Sequence, residues 1–349
     1  MRLGILVRDV HFHRPFHTTM HLAWAGLQKG WSILLFGVGS LTFDTPRHRV
    51  RARAVQLTKG PTPSRICHRL LEGALPEQTI ELSSLDMLLI RFNPMAQEIF
   101  PLEWQLWWPA LLAMQWLRDA GVEVVNDPQS LLNLLTKLHT DSLPQEAAIP
   151  GLVTRSASEV DAFQQQLGGQ RLIAKPLAGS QGTRVFLLDP DDRANRDQIL
   201  EGLFQAGYAL VQPFLEQGRE GDKRVLLVDG RPLEVGGRVA VYLRRGRDGR
   251  VRNNIHAGGR REPAEIDEAE RRSLTLLAPW LRQQRLRFVG VDLLGGRVLE
   301  VNAFCPGGIE NINQTYGLDL ATHVLEQLTG SGPGRSQATP AQGGPLERG

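Results

Sequence analysis

Two short links constrain this chain more than any other feature: VDGRP at residues 228–232 and GGRV at 295–298, each between two apolar runs of strand length. Asp-Gly and Gly-Gly tolerate the positive φ that a tight hairpin demands, so each link folds the next run back on the one before. KRVLLVDG (223–230), RFVGVDLLG (287–295) and RVLEVN (297–302) are therefore read as strands, with QRLIAKPL (170–177), TRVFLLD (183–189) and YALVQPF (208–214) before them. Strands joined by tight turns predict antiparallel sheets in the second half of the chain.

The first third reads differently. LGILV (3–7) and WSILLFGV (31–38) flank a helical stretch over 18–29 closed by Gly30, and LDMLLIRF (85–92) and VEVVN (122–126) flank an aromatic helical stretch over 101–120 with Pro109 inside it. Alternation of strands and helices predicts an α/β lobe with a largely parallel sheet. Six of the seven tryptophans fall there and are read as packing of helices on that sheet. A helix is expected over LLNLLTKLHT (131–140).

With 349 residues the chain is too long for one small core and suits two or three lobes around a cleft. Lys and Arg number 40 against 37 Asp and Glu and are spread along the chain, which argues against a nucleic-acid partner. Cys67 and Cys305 are far apart and have no metal-type spacing, which fits a reducing cytoplasm. The start lacks the pattern of a signal peptide, and no run of eighteen apolar residues predicts a membrane span. Residues 331–349, rich in Gly, Pro, Ser and Gln, are expected to form a flexible tail.

In KPLAGSQGTRVF (175–186), Lys175 ends a buried strand and Gly179 and Gly182 lie in the loop after it. Such a loop lets backbone N–H groups approach phosphate oxygens while the lysine neutralises them; a glycine hairpin with an incidental lysine is the plain alternative. Asp292, with Glu300 and Asn302 across the turn, puts three oxygen-bearing side chains at one end of a hairpin. Such hard ligands suit magnesium, against a structural pairing of the carboxylates with arginine. Arg224, Arg252 and Asn254 could hold a phosphoryl group and a developing anion, whereas Arg244, Arg245, Arg247 and Arg250 are read as a charge run in a surface loop. HFHRPFHTTMH (11–21) carries four histidines, which the break at Pro15 makes a poor transition-metal site.

NDPQSL, the lysine in LLTKL, KPLAGSQG, VQPFL, GDKRVLLVDG, RNNIHAGGR, FVGVDLLG and EVNAFCPGGIE follow one another between residues 126 and 317. In order and spacing they resemble bacterial glutathione synthetase, a member of the ATP-grasp superfamily, and the first lobe resembles it more loosely. The resemblance implies an ATP-grasp fold: an N-terminal α/β lobe (1–133), a central lid lobe (134–213) and a C-terminal lobe with an antiparallel sheet (214–330). It implies that ATP meets Lys137, Lys175, the loop Gly179, Ser180, Gln181 and Gly182, the hinge Gln212, Pro213, Phe214 and Leu215, and Asp222. Catalytic roles fall on Arg224, Arg252 and Asn254, and magnesium on Asp292, Glu300 and Asn302. Substrate contacts fall on His17, Thr18, Thr19, Arg91, Gly258, Gly259, Pro306 and Gly307, with 242–260 a loop closing over the intermediate. Two stretches depart from the family: Ala178, Ser180 and Gln181 stand where it has an acidic residue and more glycine, and Ala303 to Pro306 read AFCP where it commonly reads a Thr-Ser-Pro sequence.

The activity so implied is an ATP- and Mg2+-dependent ligation of a carboxylate to an amine through an acyl phosphate, with γ-glutamylcysteine and glycine as substrates. The alternatives are a ligase of the same chemistry for another acid or amine, and an ATP-binding regulatory protein without turnover. Small-molecule acid and amine partners, no nucleic acid, no membrane and a homo-oligomer complete the expectation.

Overall fold

The computed structural model describes residues 1–95, 104–179, 184–246 and 260–330. Strand Arg2–Val7 lies parallel between Ser32–Gly37 and Met87–Ile90, and Glu123–Val125 extends that parallel set. The other side is antiparallel: Arg49–Leu57 pairs with Ser32–Gly37, Leu41–Asp44 and Glu77–Glu81. The sheet is thus mixed rather than largely parallel. RVRARAVQL alternates exposed and buried residues over most of its length, the pattern of a strand with one solvated face, which antiparallel pairing permits. Helix Thr18–Gln28 forms where the periodicity predicts it, and helix Trp104–Asp119 runs on through Pro109.

The second half holds two antiparallel sheets. One, of four strands, places Leu172–Pro176 between Phe186–Leu188 and Ala209–Pro213, with Leu152–Thr154 beyond. The other places Asp222–Val228 between Val241–Arg245 and Phe288–Leu294, with Arg260–Pro263 and Arg297–Asn302 at its edges. Both hairpin links turn as their residues require: Asp229 and Gly230 have φ of 51° and 76°, and Gly295 and Gly296 have 56° and 76°.

The four-stranded sheet has a small core of its own around Val160, Leu172, Leu200 and Val211. The first lobe and the last sheet share theirs, since one apolar cluster contains both Leu88 and Val291 and another both Leu3 and Phe288. Asn126 ties the two together: its side-chain amide donates to the carbonyls of Phe288 (2.7 Å) and Ala303 (2.8 Å) and accepts from the Phe288 N–H (2.8 Å). The expected helix over 131–140 is cut short. An α-helix spans Pro128–Asn133 and a 3-10 segment spans Lys137–Ser142, because the Lys137 N–H turns away to the Leu177 carbonyl (2.9 Å).

Candidate active site

A cavity of about 780 Å³ opens where the three sheets meet. Register decides what faces it. In the last sheet Asp222 stands opposite Arg244, Arg224 opposite Asp292, and Asp292 opposite Glu300. Residues two apart on a strand share a face, so Asp222 with Arg224, and Glu300 with Asn302, all reach the same wall. Two glycines make room for this row. A side chain at Gly221, where φ is +126°, would meet the Arg244 carbonyl at 2.4 Å, and one at Gly290 would crowd the Arg224 side chain at 3.0 Å.

Four of these charges form one buried network. Arg224 grips Asp292 through Nε and, at 2.9 Å, Nη2. Arg244 holds Asp222 through Nε (3.2 Å) and Nη2, and reaches Asp292 Oδ2 at 2.8 Å. Burial pushes the Asp292 carboxyl up, but the guanidinium of Arg224 and then that of Arg244 hold it at about 2. For Asp222 burial wins, and its pKa is raised. Arg244, which the sequence suggests lies in a surface loop, sits instead on strand Val241–Arg245 and is 7% exposed. The charge run misled because alternate residues of a strand face opposite ways, so Arg244 is buried and Arg245 exposed. The two ends of the expected loop over 242–260 are paired strands, Val241–Arg245 and Arg260–Pro263, and 247–259 lie outside the described residues.

Beside this network stand two cations without a carboxylate in ion-pair range among the described residues. The side chain of Lys175, a residue 9% exposed, makes no hydrogen bond there, and burial lowers its pKa to about 8. Lys137, from the 3-10 segment, donates to the Gly179 carbonyl at 2.7 Å, and burial lowers its pKa too. Glu300 is likewise without a hydrogen bond or ion pair among the described residues, and its charge acts on both lysines. Next to them Gln212, Pro213, Phe214 and Leu215 line an apolar stretch with Ile149, Ile173 and Leu294. The strand itself ends at Pro213, and Gln212 donates to the Ile149 carbonyl at 3.2 Å.

From the first lobe come His17, Thr18 and Thr19 at the start of helix Thr18–Gln28, and Arg91 just past strand Met87–Ile90. Arg91 is 5% exposed; its Nε donates to Thr19 Oγ1 (3.3 Å) and its Nη2 to the Pro306 carbonyl (3.0 Å). Gly307 lines the cavity, whereas Pro306 is buried behind the wall and contributes that carbonyl. Expected residues Ser180, Gln181, Gly182, Arg252, Asn254, Gly258 and Gly259 lie outside the described residues, as does the tail at 331–349. The four histidines do not converge: His11 is exposed, His13 is buried, and His21 pairs with Glu310 at 3.0 Å. Among the described residues no three His, Cys, Asp or Glu side chains cluster as a metal site, and no helix is long and apolar enough to cross a membrane.

Residues 1–131 match the N-terminal domain of prokaryotic glutathione synthetase, and residues 136–317 match its ATP-grasp domain. The glutathione synthetase of Yersinia pestis is 32% identical over 319 residues, 90% of this chain and 93% of that one. That of Vibrio cholerae serotype O1 is 34% identical over 254 residues, 72% of this chain and 75% of the relative. Among solved structures, D-cycloserine synthetase superposes with a TM-score of 0.61, covering 94% of this chain and 99% of that one at 16% identity, a likeness of fold. With both domains matched in order and relatives similar over nearly the whole length, the chain belongs to the prokaryotic glutathione synthetase family of ATP-dependent ligases with the ATP-grasp fold.

Proposed function

We propose that this ligase joins the cysteinyl carboxylate of γ-glutamylcysteine to glycine. The carboxylate oxygen attacks the γ-phosphorus of ATP and ADP leaves; the glycine nitrogen then attacks the carbonyl carbon of the acyl phosphate, and the C–O bond to phosphate breaks. The observation that carries this reading is the pair of buried cations, Lys175 and Arg91, on one cavity and without a carboxylate in ion-pair range among the described residues. A buried, unpaired charge is expensive unless a ligand neutralises it. Lys175 and Lys137 would take the ATP phosphates, Gln212 to Leu215 the base, and Arg91 with Thr18 and Thr19 a carboxylate of the acid. The work divides among lobes 1–133, 134–213 and 214–330, in a reducing cytoplasm that suits the free thiols of Cys67 and Cys305. ADP release that needs both γ-glutamylcysteine and glycine, with the tripeptide found by mass spectrometry, is the expected result. Equal ATP turnover with and without any acid across a broad panel would overturn it.

The donor set also fits magnesium, in a different order from the one the sequence suggests. Among the described residues Glu300 is unengaged, and Asn302 spends only its Nδ2, donating to Asp292 at 3.2 Å, so its Oδ1 is available. Asp292 has both oxygens on guanidinium groups. Glu300 and the Asn302 Oδ1 would therefore hold the ion, with Asp292 beside them; bound there, magnesium neutralises phosphate charge. Arg224, which lines the cavity, uses Nε and Nη2 on Asp292, so its remaining Nη1 would take a phosphoryl oxygen. Because Glu300 has no arginine to lose among the described residues, Glu300→Gln should keep its melting temperature within a few degrees while turnover falls by about two orders of magnitude or more. Raised magnesium should restore part of that turnover. A variant with parental activity at ordinary magnesium would remove Glu300 from the set.

A further inference from the structure

His13 is not used by the reading above. It lies between strand Arg2–Val7 and helix Thr18–Gln28, on the wall of the same cavity as Arg91, and is 6% exposed. Both of its ring nitrogens are shut off from solvent and have no hydrogen-bond partner among the described residues. Its ring neighbour is His17, edge-on with centroids 6.0 Å apart, and no carboxylate forms an ion pair with it among the described residues. Burial lowers its pKa to about 3, helped by His17, Arg91 and His11 against the opposing charge of Asp9. Near neutral pH the ring is therefore uncharged and offers one N–H donor and one lone-pair acceptor. A histidine kept only for packing would satisfy at least one of these groups, since an unmet buried polar atom destabilises the fold. Arg91 Nη1 is in the same condition, buried and without a partner among the described residues.

We propose that His13 is a specificity-determining residue for the acid substrate: it reads a neutral amide of that acid, beside the carboxylate that Arg91 receives. The chemical class so selected is an N-acylated amino acid or short peptide, with an amide within reach of a carboxylate other than the one activated. A plain dicarboxylic acid of similar length satisfies Arg91 and leaves His13 unmet. The inference rests on the ligase reading of this cavity.

The test uses the full chain with γ-glutamylcysteine, read by calorimetry without ATP and by steady-state ADP formation with ATP and glycine. His13→Phe removes both hydrogen-bonding atoms, and His13→Asn restores one donor and one acceptor. Expected for His13→Phe is a Kd and KM for the acid raised tenfold or more, with kcat at saturating acid and the KM for ATP within twofold of the parent. His13→Asn should recover part of the loss, and both variants should melt no lower than the parent. A merely structural role would instead lower melting and kcat together, and would overturn the inference. Parental binding by His13→Phe would also overturn it while leaving the ligase reading intact. A parent chain that does not bind the acid would overturn the substrate reading and this inference together.

Discussion

Asp292→Ala lowers the stability of the fold by about 3 to 5 kcal/mol, the range for breaking a buried ion pair by removing one partner. The reason lies in what remains. Arg224 loses the carboxylate that takes its Nε and Nη2, and among the described residues Arg244 keeps only Asp222. Two guanidinium groups, 8% and 7% exposed, are then left with one carboxylate between them. Asp292→Asn keeps the shape and an acceptor oxygen and should lose less. The pH dependence has a definite sign: because the folded carboxyl sits at about 2, below its ordinary 3.8, its contribution is whole above pH 3.8. It fades as pH falls through 2. Thermal and denaturant melting of the ligand-free protein measure this, and an Asp292→Ala variant as stable as its parent would refute the pairing. The contrast with Glu300→Gln is informative, since the two carboxylates face each other across one hairpin and yet should fail in different ways.

Lys175→Met should do the opposite to stability. Burial holds the Lys175 ammonium at about 8 instead of 10.5, a penalty of about 3 kcal/mol at neutral pH by the pKa-to-energy conversion. Methionine fills similar space without charge, so the variant should be more stable by up to about that amount, while ATP binding weakens a hundredfold or more as the phosphates lose a buried, desolvated partner. The sign check fixes the window. Below pH 8 both folded and unfolded parent carry the proton and the whole penalty is present; between 8 and 10.5 the folded state sheds the proton while the unfolded state keeps it, so parental stability rises and the advantage of the variant shrinks. ATP binding should restore the charge, so near pH 8 to 9 the parent takes up a proton on binding and Lys175→Met does not. Calorimetry in buffers of different ionisation enthalpy measures that uptake. A variant that binds ATP as tightly as the parent would remove Lys175 from the phosphate site.

What the sequence by itself determined is local and periodic. The Asp229–Gly230 and Gly295–Gly296 links could only turn tightly, and the two-residue period then put Glu300 and Asn302 on one face, opposite Asp292. KPLAG could be read as strand and loop because an apolar run there gives way to proline and glycine. Tertiary structure decided which charges meet. Arg244 and Asp222 are twenty-two residues apart and Arg224 and Asp292 sixty-eight, so neither pair has a signature in any local window; only the register of strands brought together from distant parts of the chain makes them neighbours. The same holds for His13 and Arg91, whose unmet atoms exist because the loop of one strand and the end of another close around a shared cavity. It holds again for the antiparallel side of the first sheet, where tertiary pairing sets the three strands that flank and extend Arg49–Leu57. Periodicity fixes the face a residue takes within its own element, and burial and pairing are properties of the surface that other elements bring to it.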